Sequence, residues 1–289
     1  MKLKFALIFL LTCVLNTMAI AQNKPCPYNP ETLQFTGTPV EQARCLLRPN
    51  KIGGVLGEQL KQLPNPLEKL IGQKVGIKKE KLRKYWLSFE NPEMILGGSL
   101  DAPLSEGTLP NGEKIPALYF IIHDTSSPYL DTEPFPVQMD YPTWKGNLLD
   151  QWLKLPVAHV FVNRVGRSIT INPFSETVKS GWGTKFSRDF HKAPGKGLQL
   201  HIELIQPRRR DPNGPPKNDL IAPVPGFTDL QYERLALLYV CASVRRGTWL
   251  IPAYHSAIDA GIKDAHDDPQ NFELQKFAEK LSKIIKTLK

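Results

Sequence analysis

Five residues from position 123 onward have the types and positions for metal ligation or proton transfer: His123, Glu203, His255, His266 and Asp268. His123 ends the apolar run Ala117–Ile122 and is followed by Asp-Thr-Ser-Ser-Pro, a loop opening. Side chains at strand ends facing loops are where sheets build sites. Taken alone, His123 reads as a core histidine satisfied by a backbone partner. His255 shifts that balance, because it follows another short apolar strand and precedes His266-Asp-Asp268-Pro within 13 residues. Two neutral imidazoles and one carboxylate at strand ends suit zinc, which takes three protein ligands and keeps one position open when it does chemistry. Exposed loop histidines and a helix-capping aspartate are the plainer account of the same stretch. Glu203 lies inside the strand pattern Gln199–Ile205. Alternation there puts Gln199, His201, Glu203 and Ile205 on one face and Leu200, Ile202 and Leu204 on the other. A carboxylate in mid-strand is costly unless it is paired or poised for proton transfer.

The elements that must hold these residues are legible from period and punctuation. Ala117–Ile122 has the length of a buried strand stopping at His123. Val157–Asn163 meets a turn at Arg164-Val-Gly166-Arg167 and returns as Ser168–Ile171, a hairpin. After Gln199–Ile205, six prolines (207, 212, 215, 216, 223 and 225) fall within 19 residues, which excludes helix and central strand. Thr228-Asp-Leu-Gln231 is a capping box ahead of a helix over Tyr232–Arg246, and Gly247 supplies its stop. Trp249–Ile251 reads as a short strand ended by Pro252. In the tail, Phe277, Leu281, Ile284, Ile285 and Leu288 share one helical face with lysines opposite, so a helix docked on the domain is expected rather than one lying on a membrane surface. Residues 22–100 are helix-prone and basic, in short amphipathic pieces (Val40–Leu47, Val55–Leu63, Leu67–Ile71, Lys78–Leu87) that need a partner surface.

At the N-terminus, Lys2 and Lys4 precede an apolar run from Phe5 to Val14 and a polar stretch ending Ala19-Ile-Ala21. This reads as a cleaved signal peptide, since the run is far short of the roughly 20 residues that span a bilayer. Three segments are therefore expected: a signal peptide over 1–21, a helical N-terminal subdomain over 22–100 packed on the remainder of the chain, and a catalytic domain over 101–289. Export implies a periplasmic or secreted protein. The formal net charge of +9 falls to +7 once Lys2 and Lys4 leave. An exported cation meets cell-wall polymers and anionic lipids rather than nucleic acid, and no integral membrane segment remains after cleavage. Hydrophobic residues make up 41% of the chain, which excludes a disordered or polytopic membrane protein. Cys13 leaves with the signal. Cys26 and Cys45 are expected to form a disulfide in the oxidising compartment, while Cys241, inside an apolar helical run, is expected as a buried thiol.

The motifs Tyr119-Phe-Ile-Ile-His123-Asp-Thr-Ser-Ser, Ala158-His159-Val-Phe-Val with Gly166-Arg167, His201-Ile-Glu203-Leu, and His255 with Asp268-Pro269 occur in an order that resembles the zinc-dependent N-acetylmuramoyl-L-alanine amidases. This is the class related to phage-lysozyme-type amidases and peptidoglycan recognition proteins, and the resemblance covers roughly residues 115–275. It implies an α/β fold with a mixed central β-sheet flanked by helices, to which this chain adds a helical N-terminal extension. It implies zinc as cofactor, with His123, His255 and Asp268 as ligands, Glu203 as general base and His266 as the residue meeting oxyanion charge. His159 matches a position that is not a ligand. The stretch from His255 to Asp268 is longer than in compact members, so Asp264 and Asp267 compete for the third ligand place and Lys263 competes with His266. Asp268 is favoured because the following proline fits the motif and puts a histidine at the expected offset.

The reaction implied is hydrolysis of the amide between N-acetylmuramic acid and L-alanine, with peptidoglycan or muropeptides as partner. A non-catalytic peptidoglycan-binding module and a zinc peptidase cutting within the stem peptide are the alternatives. Trp182, between Gly181 and Gly183, suits an aromatic wall for substrate, and Arg164 and Arg167 suit stem-peptide carboxylates. Nothing in the sequence fixes an oligomeric state.

Overall fold

The run beginning at Ala117 forms strand β1, Tyr119–Asp124, with every residue buried, as expected of a strand inside a largely parallel sheet. In the computed structural model, which describes residues 24–51, 55–131, 134–211 and 220–289, it is joined by β2 (Val160–Val162), β3 (Ser168–Thr170), β4 (Gln199–Leu204) and β5 (Ile251–Tyr254). The order across the sheet is β3-β2-β4-β1-β5. β4 runs parallel to β1 and β2, β5 runs parallel to β1, and only the hairpin strand β3 is antiparallel. The fold is thus α/β with a mixed sheet. The expected signal peptide with Cys13, and Pro212, Pro215 and Pro216, lie outside the described residues.

The parallel arrangement has a direct consequence for chemistry. β1, β2, β4 and β5 all deliver their C-terminal ends to one edge, the place where open α/β sheets bind ligands. Two strand boundaries differ from expectation. β1 continues through His123 and Asp124, because these residues pair with Glu203 and Leu204 of β4. β5 contains Pro252 instead of ending at it, because β5 is an edge strand and the missing N–H can face the open side. Trp249 is taken from β5 by the N-terminal segment, donating to Gln73 O and accepting from Gly72 N–H.

Helices cover both faces. Helix α1 (Pro39–Leu46) lies on the Tyr119 side, where the tyrosine hydroxyl donates to Gln42 Oε1 at 2.9 Å. On the opposite face Phe120 meets Tyr239 of helix α2 (Asp229–Arg246), its ring 5.3 Å away. A short helix α3 (His255–Ile258) follows β5 directly. Helix α4 (Leu274–Leu288) forms an outer layer, with Phe277 against Tyr239 and with Leu281, Ile284, Ile285 and Leu288 buried, so its apolar face is docked. α2 begins at the Thr228/Gln231 capping box and ends at Gly247, whose φ of 83° is the left-handed value glycine tolerates.

The described residues between 24 and 100 pack on the same hydrophobic core as the sheet. Three of the four expected pieces become helices, at Pro39–Leu46, Asn65–Leu70 and Lys79–Trp86. Val55–Leu63 does not: Val55–Leu56 pairs with Asn50–Lys51, and Gly57 sits against Pro49 with its N–H bonded to the Pro49 carbonyl. Cys26 and Cys45 are bonded, tying the start of the described chain to α1. Cys241 is a buried thiol that accepts from Trp86 Nε1–H at 3.2 Å, and burial pushes its pKa up to about 12. The Pro-rich segment borders two short strands, Arg208–Arg210 and Leu220–Ile221, which form a separate small sheet with Tyr129–Leu130. No helix among the described residues is long and apolar enough to cross a membrane.

Candidate metal centre

His123 and Glu203 are direct cross-strand neighbours in the parallel β1–β4 register, and His201 faces Ile121 one step back. Period-2 alternation therefore sets His123, His201 and Glu203 on one face of the sheet, the face covered by α1. The end of β5 brings His255 alongside, and the turn before α4 brings Asp268. His123 Nδ1 and His255 Nδ1 lie 2.9 Å apart. Asp268 approaches His255 Nδ1 at 3.0 Å and His123 Nδ1 at 3.6 Å. One ligand atom from each of the three residues falls within 4.8 Å of the others, all three side chains are buried, and among the described residues no other such group of His, Cys, Asp or Glu occurs. The trio can hold a metal ion.

The remaining ring nitrogens are already engaged. His255 Nε2 donates to Asp259 Oδ2 at 3.0 Å. The same carboxylate accepts the backbone N–H groups of Lys185 and Phe186. It thus links α3 to the loop that carries Trp182. His123 Nε2 lies 3.0 Å from His201 Nδ1. Both histidines consequently turn Nδ1 toward Asp268, the second-partner pattern that orients metal-binding imidazoles.

Electrostatics around this group are strongly biased. Burial pushes Glu203 well above the usual carboxylate range, and the neighbouring Asp268 charge adds to it. Burial, helped by the charge on His255, lowers His123 to about 3 and so keeps it neutral. Burial also works against a charge on His255, but the carboxylates of Asp268 and Asp259 outweigh it and hold the ring protonated. Asp268 is held ionised against its own burial by His255. A buried cluster that stabilises one positive charge between two Nδ1 atoms and a carboxylate is suited to exchanging that proton for a metal cation.

Glu203 Oε1 stands 3.8 Å from His123 Nδ1, and its Oε2 is buried with no hydrogen-bond partner. Its neighbours on the same strand face are occupied, Gln199 by Thr184 and His191 and His201 by His123. His266 lies at the mouth, more than half exposed, with its ring 4.5 Å from that of His255 and its Nδ1 3.6 Å from Asp268. Trp182, Gly183, Thr184, Lys185 and Arg188 join His255 and His266 in lining a cleft of about 210 Å³. The fold thus brings His123, Glu203, His255, His266, Asp268 and Trp182 together. No family model, curated protein or solved structure matches the chain. The reading of the site therefore stands on this geometry and on the sequence motifs.

Two expected substrate residues are elsewhere. Arg164 is fully buried, its guanidinium paired with Asp140 and donating to the Gly226 carbonyl, so it braces loops and cannot reach substrate. Arg167 lines a separate depression of about 320 Å³ with Tyr85, Phe89, Leu230 and Arg234, which holds none of the cluster residues. Of the competing carboxylates, Asp267 accepts from Gln270 Nε2 and Asp264 is exposed, and neither joins the buried group; Lys263 is exposed as well. His159 is structural: its Nδ1 accepts the His201 backbone N–H and its Nε2 donates to the Glu176 carbonyl, both at 2.9 Å. Sequence reasoning missed Asp259 and the Asp124–Arg208 pair behind the turn. The signal for Asp259 was its spacing four residues after His255 on a short helix.

Proposed function

We propose that this protein is an exported zinc-dependent N-acetylmuramoyl-L-alanine amidase. The observation that carries the proposal is the convergence of His123 Nδ1, His255 Nδ1 and Asp268 beside a buried, unpartnered Glu203 oxygen. Two imidazoles and one carboxylate with a position left open match a hydrolytic zinc site better than a closed structural one. The motif order supports the amidase class, and the apolar N-terminal run supports export.

When bound, zinc supplies Lewis acidity and brings the pKa of a coordinated water down to about 7. The chain's own residues supply the rest. Burial raises the basicity of the Glu203 carboxylate, and once ionised beside a bound cation it would accept a proton from the attacking water and pass it to the departing L-alanine nitrogen. His266 at the cleft mouth donates to the oxygen that gains charge as the lactyl carbonyl is attacked. Trp182 gives the cleft an apolar wall against which sugar or peptide can lie.

The test is mass spectrometry of muropeptides after incubation with purified mature protein, beside elemental analysis. Intact stem peptides separated from glycan are expected. Glu203→Gln should keep its zinc and lose about 10²–10⁴-fold in turnover. Cleavage inside the stem peptide would replace the amidase reading by a peptidase. A zinc-free, inactive protein that zinc cannot restore, yet which still binds peptidoglycan, would replace it by a binding module.

A further inference from the structure

We propose that His201 is a positioning residue for the metal centre: through its Nδ1 it fixes the tautomer of His123 that leaves His123 Nδ1 free to bind a cation. The inference rests on the reading of His123, His255 and Asp268 as a metal site, and is independent of which amide is cleaved.

Proton positions on the two rings are linked. His123 turns Nδ1 toward His255 and Asp268, so a ligating His123 must carry its single proton on Nε2. That Nε2 lies 3.0 Å from His201 Nδ1. Two unprotonated nitrogens, or two N–H groups, would repel at this distance, so His201 Nδ1 must be the acceptor. His201 then carries its own proton on Nε2. That atom is buried and has no hydrogen-bond partner, in a side chain only 1% exposed. Leaving such a donor unsatisfied is unfavourable. A residue present only to fill space would be apolar and leave no buried N–H without a partner.

The surroundings hold the ring in place. The backbone N–H of His201 is bonded to His159 Nδ1, and the two rings stack 5.7 Å apart at 17°. On its far side the ring lies against Gly183, at φ +73°, where a Cβ would overlap the imidazole. The loop bearing Trp182 therefore closes directly on His201. The sequence of contacts Glu176–His159–His201–His123 runs from the β3 side of the sheet to the ligand atom.

The experiment uses the full mature chain with zinc as the probe. Zinc dissociation constants are measured by chelator competition at fixed pH for wild type, His201→Phe and His201→Asn, with thermal melts recording folding. Phenylalanine keeps the ring and removes the acceptor, whereas asparagine places an oxygen where Nδ1 was. His201→Phe is expected to weaken zinc binding by about 10–100-fold, the usual cost of losing an outer partner, and His201→Asn to recover most of it. Should His201→Phe fail to fold, nitrogen-15 NMR of zinc-loaded wild type decides: His123 and His201 must both be protonated on Nε2. A His201 protonated on Nδ1, or a folded His201→Phe with wild-type zinc affinity, overturns the proposal while leaving the metal site standing. A wild type that takes up no zinc overturns the metal reading, and this proposal with it.

Discussion

Replacing Arg208 by methionine should cost about 3 kcal/mol of stability at neutral pH and loosen the metal centre. Arg208 and Asp124 are both fully buried, with Nη2 and Oδ2 2.6 Å apart. Removing one partner of such a pair strands the other's charge, a loss of about 3–5 kcal/mol. The lower end applies, because Asp124 keeps hydrogen bonds from Gln270 N–H, Ser126 N–H and Ser126 Oγ. The effect should reach the site, since Gln270 belongs to the turn that carries Asp268 and Asp124 N–H donates to Asp268 Oδ2. The pH dependence has a definite sign. Burial already raises the Asp124 carboxyl above its ordinary range even with Arg208 present. In the variant the folded state holds that proton more tightly still than the unfolded chain does, so stability falls as pH rises through the folded value. The deficit against wild type should therefore be largest at neutral pH and shrink toward about pH 4, the unfolded carboxyl's value. Urea unfolding at both pH values measures it, and zinc affinity reads the coupling to the turn. A loss below about 1 kcal/mol at neutral pH, or one that does not change with pH, would refute the reasoning from a stranded charge.

Three further outcomes are expected. Unfolded, unreduced protein lacking residues 1–21 should show one reactive thiol and the folded protein none, because Cys26 and Cys45 are bonded and burial pushes the pKa of the Cys241 thiol up to about 12; three thiols on unfolding would overturn this. Asp259→Asn removes the carboxylate that accepts from His255 Nε2 and should weaken zinc binding by about 10–100-fold in calorimetry, with unchanged affinity counting against an orienting role. Leu281→Ala, in the docked face of α4, should cost about 2–5 kcal/mol in denaturant unfolding, whereas a loss under about 1 kcal/mol would mean that α4 contributes little to the core.

What the sequence determined by itself was local. The α2 boundaries follow from a capping box and a glycine, both satisfied within a few residues of chain. The β1 and β4 runs follow from burial on both faces, and the shared face of Gln199, His201 and Glu203 follows from period-2 geometry. The motif order also led to His123, Glu203, His255 and Asp268, which the fold gathers at one sheet edge. Where only chain-local signals were read, distant partners produced the errors. Arg164 looked like a turn residue suited to substrate carboxylates until Asp140 and Gly226 closed over it. Val55–Leu63 looked helical until Pro49 and Asn50–Lys51 offered its backbone a hairpin. Pro252 looked like a strand end because edge position is a property of the sheet, not of the segment. The motif already favoured Asp268 over Asp264 and Asp267, and the tertiary structure supplies the physical reason: Asp268 is buried beside both histidines, while Asp267 accepts from Gln270. Tertiary structure alone revealed which ring nitrogens Asp259 and His201 engage. The His123–His201 hydrogen bond joins residues 78 apart, and no period or cap encodes it.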